Sequence, residues 1–267
     1  MDVTVRERAR ELWALGDYGR IARLIADMGR DLVAAAGVGP GRRVLDVAAG
    51  TGNATLPAAA AGAEVVAVDL TPELVAAGET AARDAGLEVD WHVGDAECLP
   101  FPDRAFDVVL SCIGAMFAPD QVATARELVR VCHPGGTIAM ANWTPDGAAS
   151  RFFATLARHA PPPPGPSPTS WGDPGAVREL LGSRVESLAT ARRTVRFATS
   201  ASPAEITAEY RASFGPVVAT RAALGDDPER IAAFDADLLR FWTEENRGPV
   251  GGPGCWAFEY LLVLARR

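Results

Sequence analysis

The most informative segment of the chain is VLDVAAGTGNAT, residues 44–55. Its apolar run, Val44 to Val47, indicates a buried strand. Gly50 and Gly52 then permit a tight turn with backbone angles that other residues avoid. An alanine-rich helix is predicted directly after the turn, over residues 53–61. Because free N–H groups at the start of a helix favour anionic groups, this turn is a candidate ligand site.

Short apolar runs alternate with helical segments beyond this turn. Strands are predicted over residues 63–69, 87–93, 106–113 and 137–143, with helices over 71–85 and 119–132. Because these strands are mostly apolar, they predict a parallel sheet that helices cover on both faces. The chain is therefore expected to adopt a doubly wound α/β fold.

The segments outside this core predict further helices and two late strand regions. Helices are expected over residues 5–15, 18–36, 147–159, 173–181, 203–224 and 228–245, with one or two strands over 185–197 and a last strand over 256–265. A stiff proline-rich loop is expected at 161–166. We predict one domain, 1–267, with an N-terminal helical cap (1–40), a cofactor-binding core (41–145), a late strand plus inserted cap helices (146–250) and a terminal strand (251–267).

Composition narrows the classes of function. The net charge of −8 disfavours a nucleic-acid partner, since such proteins usually carry a basic face. All 26 basic residues are arginine, which excludes Schiff-base chemistry and P-loop phosphate binding, since both need lysine. The four cysteines form no CxxC pair, so no metal site is predicted and reduced, cytoplasmic thiols are expected. The sequence predicts neither a signal peptide nor a membrane-spanning segment, and hence no membrane partner.

Two acidic positions follow the next predicted strands. Asp69 ends the second strand, where an acid can accept hydrogen bonds from a ribose diol. Asp95 and Ala96 follow the third strand and can meet an adenine edge. A bare tight turn and a dinucleotide site are the alternatives for the glycines. Thr55 argues against the dinucleotide fingerprint, which has a small residue at that position.

These motifs, in this order, resemble the class I S-adenosylmethionine-dependent methyltransferases. That family has an acid before a glycine-rich turn, an acid ending the second strand, Asp-Ala after the third strand and Phe-Asp-x-Val at the fourth. This chain has DVAAGTG (46–52), Asp69, Asp95-Ala96 and FDVV (106–109). The segments ECLPF (97–101) and HPGG (133–136) are similar to the subgroup around ubiquinone- and menaquinone-biosynthesis methyltransferases. The cap segments loosely resemble actinobacterial small-molecule methyltransferases.

The resemblance implies a seven-stranded, mostly parallel sheet of the Rossmann-like methyltransferase type, and S-adenosylmethionine as cofactor. Asp69 would hold the ribose hydroxyls, with Leu70 packed on the adenine, and Tyr18 would cover the cofactor. Ala48 stands where the family most often has its first glycine, and alanine fits there if φ is negative. The implied cofactor set is Tyr18, Asp46, Ala48, Gly50, Thr51, Gly52, Asn53, Asp69, Leu70, Asp95, Ala96 and Ser111.

The acceptor pocket is expected between the N-terminal helices and the helical insertion at 203–245. Its first helix carries apolar residues at helical spacing, Ile206, Tyr210, Phe214 and Val217, which predict one continuous stripe. A pocket lined by aromatic residues would favour a small apolar acceptor. The predicted acceptor residues are Phe117, Trp143, Trp171, Tyr210 and Phe214.

No catalytic base is assigned from the sequence. His92, His133 and His159 are the only histidines, and each is expected to be structural. Methyl transfer can proceed by alignment of the reactants alone, which leaves the catalytic residues open.

The leading hypothesis is a methyltransferase that acts on O, C or N of a small apolar metabolite, with natural-product tailoring and quinone biosynthesis as candidate roles. The alternatives are a repurposed S-adenosylmethionine-binding protein without methylating activity and a nicotinamide-dependent oxidoreductase. A nucleic-acid methyltransferase is a weaker alternative. Both a monomer and a homo-oligomer stay open.

Overall fold

The computed structural model of the protein describes residues 3–162, 165–249 and 253–267. A seven-stranded sheet has the strand order β3-β2-β1-β4-β5-β7-β6. Its strands are β1 Arg43–Val47, β2 Glu64–Asp69, β3 Asp90–Val93, β4 Phe106–Cys112, β5 Cys132–Trp143, β6 Ser187–Thr199 and β7 Gly254–Arg266. The predicted fold class is confirmed.

Helices flank the sheet. They are α1 Val3–Ala14, α2 Tyr18–Leu24, α3 Ala26–Ala35, α4 Thr55–Ala60, α5 Pro72–Asp84, α6 Gln121–Val131, α7 Ala148–Ala157, α8 Pro174–Leu181, α9 Pro203–Ser213, α10 Gly215–Ala223 and α11 Pro228–Glu244. Two predicted features lie partly outside the described ranges: the proline-rich loop at 161–166 and the domain boundary at 250–251.

The parallel strands bring their carboxyl ends to one edge of the sheet. β1 pairs in parallel with β2 and with β4, and β2 pairs in parallel with β3. The last strand, β7, runs antiparallel between β5 and β6. Val44 to Val47 in β1 are fully buried, as the apolar run predicts for a strand covered on both faces. The loops after β1 to β4 therefore meet at one edge, where open α/β sheets bind ligands.

Two long predicted helices are each divided in the structure. The predicted helix over 18–36 is interrupted at Ile25, whose backbone (φ −115°, ψ 18°) leaves the helical region between α2 and α3. The predicted helix over 203–224 is interrupted at Phe214, which adopts an extended conformation between α9 and α10. Pro216 is the reason for the second break, because it has no N–H to donate to the Ala212 carbonyl oxygen and its ring would clash with that carbonyl in a continuous helix. The predicted continuous stripe is thus wrong, although its residues are all buried.

The N-terminal helices and the helical insertion are joined to each other. The Asp17 N–H donates to the Ser213 carbonyl oxygen at 3.0 Å, and Gly16 approaches the Ser213 backbone so closely that a Cβ there would lie 2.5 Å from its oxygen. Arg20 adds a two-point ion pair with Glu209, with donor–acceptor distances of 2.5 and 2.6 Å. The insertion, α9 to α11, lies between β6 and β7 in the chain. Together these elements form one cap beside the ligand edge of the sheet.

Candidate active site

The turn after β1 has an unusual backbone. Ala48, Gly50 and Gly52 have positive φ angles of 53°, 57° and 99°. The expectation of a negative φ at Ala48 is wrong. This alanine lies in the left-handed region, where an L-residue has a conformational energy about 1–2 kcal/mol higher. Gly114 packs directly against it, since a Cβ atom on Gly114 would lie 2.1 Å from the Ala48 carbonyl oxygen. The loop after β4 therefore supports the strained turn.

Asp69, at the end of β2, joins the turn to the start of α5. Its Oδ2 accepts a hydrogen bond from the Gly50 N–H at 2.7 Å, and its Oδ1 accepts one from the Thr71 N–H at 2.9 Å. Burial raises the pKa of the Asp69 carboxyl above its usual range, while the backbone donors oppose that shift. Each carboxylate oxygen has a further lone pair, so the group can still accept from ligand hydroxyls.

Asp95 lies in the loop after β3 and is held from two sides. Its Oδ1 accepts from the Glu97 N–H at 2.9 Å. Arg6 on α1 places a guanidinium nitrogen 2.7 Å from Asp95 Oδ2. Because the Arg6 side chain is 45% exposed, this ion pair contributes little to stability. It does connect the first helix of the cap to the loop that carries Asp95 and Ala96.

These groups surround a cavity of about 850 Å³, counted to its open mouth, which we name the turn cavity. It lies between the glycine turn, the ends of β2 and β3, and the N-terminal helices. Most of the predicted cofactor residues line it: Tyr18, Ala48, Gly50, Thr51, Asn53, Asp69, Leu70, Asp95 and Ala96.

Three predicted cofactor residues do not line the turn cavity. Asp46 is buried beneath the turn, where its Oδ2 accepts from the Thr55 hydroxyl at 2.6 Å. Ser111 donates to the Val47 carbonyl oxygen at 2.8 Å and accepts from the Ala115 N–H at 2.9 Å. Gly52 packs near Leu56 and Trp91. Asp46 and Ser111 lie beneath the turn, and Gly52 is part of the turn on the side of Leu56 and Trp91, so their assignment to direct cofactor contact is not supported by this geometry.

Asp46 also has an unusual protonation equilibrium. Burial raises the pKa of its carboxyl to about 7, although the hydrogen bonds from Thr55 lower it. Its second oxygen, Oδ1, has no hydrogen-bond partner among the described residues. A neutral carboxyl is therefore accessible to this group near physiological pH.

One wall beside the glycine turn was not predicted from the sequence. It is formed by the end of β4 and the loop that follows, and it contributes Cys112, Ile113, Gly114, Ala115, Phe117, Ala118 and Pro119 to the turn cavity. Only Phe117 among these was predicted, as an acceptor residue. The rule that ligands bind at the carboxyl ends of parallel strands applies to β4 as well, and it could have found this uncharged loop.

A second cavity continues from the first toward the helical insertion, and we name it the aromatic chamber. Its volume is about 530 Å³, counted to its open mouth. It is lined by Trp13, Tyr18, Ile21, Ile25, Ile113, Phe117, Trp143, Ala149, Phe152, Phe153, Phe197, Tyr210, Phe214, Trp242 and Phe258. Among the described residues that line it there is no charged side chain, so the chamber suits an apolar ligand.

The two cavities share part of their walls. Trp13, Tyr18, Ile113 and Phe117 line both. The Trp13 ring lies 4.9 Å from Phe117 and 5.7 Å from Tyr18 between centroids, so these rings form one aromatic group at the junction. A ligand in the turn cavity and a ligand in the chamber would meet at this junction.

Of the predicted acceptor residues, four line the aromatic chamber and one does not. Phe117, Trp143, Tyr210 and Phe214 lie in its wall. Trp171 is completely buried in the short helical turn Pro168–Gly172, and it lines neither cavity. That turn packs against β5, since a Cβ on the neighbouring Gly172 would lie 2.0 Å from the Trp143 carbonyl oxygen. The pocket assignment of Trp171 is thus corrected: the ring fills the core.

The histidines lie away from both cavities. His92 is on the edge strand β3, 3.0 Å from the Asp90 carboxylate, and His133 is exposed. The His159 Nε2 lies 3.0 Å from Asp237 Oδ2, beside the ring of Phe234. Within the described part of the chain, no histidine lines either cavity, and the turn cavity has the carboxylates of Asp69 and Asp95.

Neither a metal-binding cluster nor a membrane-spanning helix is present among the described residues. No group of three or more histidine, cysteine, aspartate or glutamate side chains is arranged to hold a metal ion. None of the helices in the ranges that the structure covers has the length and apolar character needed to cross a membrane.

Comparison with known proteins gives the family. The family described as a methyltransferase domain matches residues 45–140, which hold the glycine turn, Asp69 and Asp95. The chain belongs to the class I S-adenosylmethionine-dependent methyltransferases. An uncharacterized protein of Mycobacterium tuberculosis is 41% identical to this methyltransferase over 269 residues, covering 100% of this chain and 96% of the relative.

A further relative resembles part of this chain, and a solved structure shares its fold. A demethylmenaquinone methyltransferase of Mycobacterium sp. is 42% identical over 127 residues, which is 48% of this methyltransferase and 52% of that enzyme. A solved structure of phospholethanolamine N-methyltransferase 2 from Haemonchus contortus, with S-adenosylhomocysteine, has the same fold at a TM-score of 0.57. It is 16% identical, and the match covers 90% of this chain and 52% of that one.

Proposed function

We propose that this methyltransferase binds S-adenosylmethionine in the turn cavity and transfers the methyl group to a small, largely apolar molecule in the aromatic chamber. One observation carries the proposal: Trp13, Tyr18, Ile113 and Phe117 line both cavities. A cofactor site and an acceptor site with a common wall meet the geometric demand of a direct transfer.

The residues around the turn cavity fit this cofactor. A Cβ atom on Gly50 would lie 3.6 Å from the Tyr18 ring, so a side chain there would enter the gap between turn and cap. Asp69 retains acceptor capacity for the ribose hydroxyls, and Asp95 with Ala96 would face the adenine. The solved relative that holds S-adenosylhomocysteine supports this assignment. When bound, S-adenosylmethionine supplies a methyl group activated by a positively charged sulfur.

The protein would accelerate the transfer by alignment and by exclusion of water. Tyr18 and Phe117 stand at the junction, where they can hold the acceptor in line with the methyl group. The ion pair between Arg20 and Glu209 and the backbone contact of Gly16 with Ser213 hold the two parts of the cap together beside this region. Orientation of the two reactants can supply a large part of the reduction in the activation barrier, and it needs no proton transfer.

The acceptor class follows from the chamber wall. This wall is rich in aromatic side chains. Burial of a ligand's apolar surface against it contributes a favourable free energy of about 25 cal/mol per Å². We propose that the acceptor is about as large as an aromatic ring compound, carries little charge and is methylated on O, C or N.

A crystal structure of the protein with S-adenosylhomocysteine tests the site assignment. The expected complex has the ribose at Asp69, the adenine beside Asp95 and Ala96, and the sulfur directed toward the Tyr18–Phe117 junction. A ligand bound elsewhere, or with its sulfur directed away from the aromatic chamber, would contradict the proposed transfer.

A further inference from the structure

The segment ECLPF, residues 97–101, follows Asp95 and Ala96 directly, yet none of its residues lines the turn cavity or the aromatic chamber. Its first residue, Glu97, is only 7% exposed. Acidic side chains are rarely buried to this extent unless a partner satisfies them. The partner of Glu97 therefore indicates what this segment does.

Glu97 makes hydrogen bonds through both its side chain and its backbone. Its Oε1 accepts from the Asp120 N–H at 2.7 Å. Asp120 is the N-cap of α6, and its own Oδ1 accepts from the Ala123 N–H at 2.9 Å. The backbone N–H of Glu97 donates to Asp95 Oδ1 at 2.9 Å. This one residue thus connects the carboxylate of Asp95 to the start of α6.

The bond between Glu97 and Asp120 joins two segments of the turn-cavity wall. Residues 94–96 and residues 117–119 all line that cavity. Glu97 is the next residue after the first segment, and Asp120 is the next residue after the second. The two segments follow β3 and β4, which are not neighbours in the sheet. Strand pairing therefore does not fix these two loops directly to each other, whereas the carboxylate of Glu97 does.

The other end of the ECLPF segment has its own attachment to α6. The Leu99 N–H donates to Glu127 Oε2 at 2.8 Å. Arg130 donates to the carbonyl oxygens of Leu99 and Phe101 at 3.0 and 2.8 Å. Neither Glu127 nor Arg130 lines the turn cavity. The segment thus stays anchored without the Glu97 carboxylate, and loss of that carboxylate should act locally, on residues 94–96.

We propose that Glu97 is a positioning residue for the cofactor, whose carboxylate holds residues 94–96 where Asp95 can accept a hydrogen bond from the exocyclic amine of the adenine. The inference rests on the proposed function and extends it to recognition of the base. It predicts that Glu97 sets the preference for adenine over a base that lacks this amine, although Glu97 itself lies outside the cavity.

A matched pair of ligands tests the inference. S-inosylhomocysteine differs from S-adenosylhomocysteine in its base, where a carbonyl oxygen replaces the exocyclic amine. The Asp95 carboxylate can accept a hydrogen bond from the amine but not from that oxygen. Calorimetric titration of the full chain gives the ratio of the two affinities. We expect S-adenosylhomocysteine to bind at least about tenfold more tightly to the unaltered protein.

Three variants of Glu97 locate the origin of the preference. E97A removes the acceptor and E97D shortens the side chain by one methylene, so each should reduce the affinity ratio at least about threefold. E97Q should keep the ratio within about twofold, because its amide oxygen can still accept from the Asp120 N–H. If E97A does not fold, the comparison of E97D with E97Q decides the question.

E127A is the control for a merely structural effect. Glu127 is as buried as Glu97, at 6% exposed, and it holds the same segment at Leu99. E127A should lower the free energy of unfolding and keep the affinity ratio within about twofold. An unchanged ratio in E97A and E97D, or an equal loss in E97Q or E127A, would overturn the inference.

The outcome is separable from that of the proposed function. If S-adenosylhomocysteine binds the unaltered protein and the ratio is near one, the base is not recognised through Asp95 and the inference fails, although the cofactor site stands. If S-adenosylhomocysteine does not bind the unaltered protein, the proposed function itself fails.

Discussion

The carboxylate of Asp69 accepts a hydrogen bond from the backbone N–H of Gly50 at 2.7 Å, so the acid at the end of β2 is fastened to the glycine turn at the end of β1. These two groups come from adjacent parallel strands. Both residues line the turn cavity. A ligand that engages Asp69 is thereby held against the turn.

Asp69→Ala should weaken S-adenosylhomocysteine binding by roughly 10- to 100-fold. The variant loses hydrogen bonds to a charged acceptor, each contributing about 1.5–3 kcal/mol, and releases the Gly50 N–H. Calorimetric titration measures the effect. Asp90→Ala is the matched control, since Asp90 is an exposed acid on the neighbouring strand and lines neither cavity. Equal affinities of the two variants would refute the role of Asp69.

Gly114→Ala should destabilise the fold by about 1–3 kcal/mol, because the added methyl would lie 2.1 Å from the Ala48 carbonyl oxygen. The turn must shift to accept it, so S-adenosylhomocysteine affinity should fall as well. Gly39→Ala is the control: a Cβ there meets no atom within 4 Å. Denaturant unfolding compares the pair. If Gly114→Ala left the free energy of unfolding unchanged, this contact would not hold the turn.

The unfolding free energy should depend on the ionisation of Asp46. Its pKa is about 7 in the folded protein, above the ordinary value near 4, so the native state retains a proton that the unfolded chain has lost between these limits. Stability should therefore fall as pH rises from about 4 to about 7, by up to about 1.4 kcal/mol per pH unit.

Asp46→Asn should flatten that pH dependence, because the amide does not titrate. Part of the slope should remain, since the pKa of Asp69 is also raised by burial. Asp84→Asn, at an exposed acid near the end of α5, should leave the slope unchanged. Urea unfolding at several pH values gives the slopes. An Asp46→Asn slope equal to that of the unaltered protein would show that Asp46 does not titrate in this range.

Phe214→Ala should cost about 3–5 kcal/mol of stability, because its buried ring packs against Trp13, Tyr18, Phe152 and Tyr210. S-adenosylhomocysteine affinity should stay within about threefold, because Phe214 lines only the aromatic chamber. Phe214→Leu keeps most of the volume and should cost less than about 1.5 kcal/mol. Thermal melts and calorimetry separate the effects, and a loss of cofactor affinity in the Leu variant would contradict this division of the site.

Much of the core was predictable because its signals are local. Apolar runs in the sequence mark β1, β2 and β4. The glycine turn, Asp69 and Asp95 each follow the end of a strand, and the parallel sheet brings these strand ends to one edge. The two helix interruptions were harder to predict. No glycine or proline lies within three residues of Ile25, so the sequence carries no local sign of that interruption. Pro216 is such a sign for the second interruption, but the apolar spacing across it predicted a continuous helix.

The details of the site depend on contacts between distant segments. The positive φ of Ala48 is supported by Gly114, which lies far along the chain. Trp171 is aromatic like the true chamber residues, and its sequence neighbours do not reveal that it packs under β5. Residue type alone does not distinguish a core ring from a pocket ring, because both bury the same apolar surface.

Calorimetric titration of the unaltered protein with S-adenosylhomocysteine and, separately, with NADH tests the central claim most directly. The glycine turn alone is compatible with either ligand, whereas Asp95 and Ala96 in the same cavity favour the first. We expect saturable one-to-one binding of S-adenosylhomocysteine and no heat of binding with NADH. Tight binding of NADH without a response to S-adenosylhomocysteine would contradict the account.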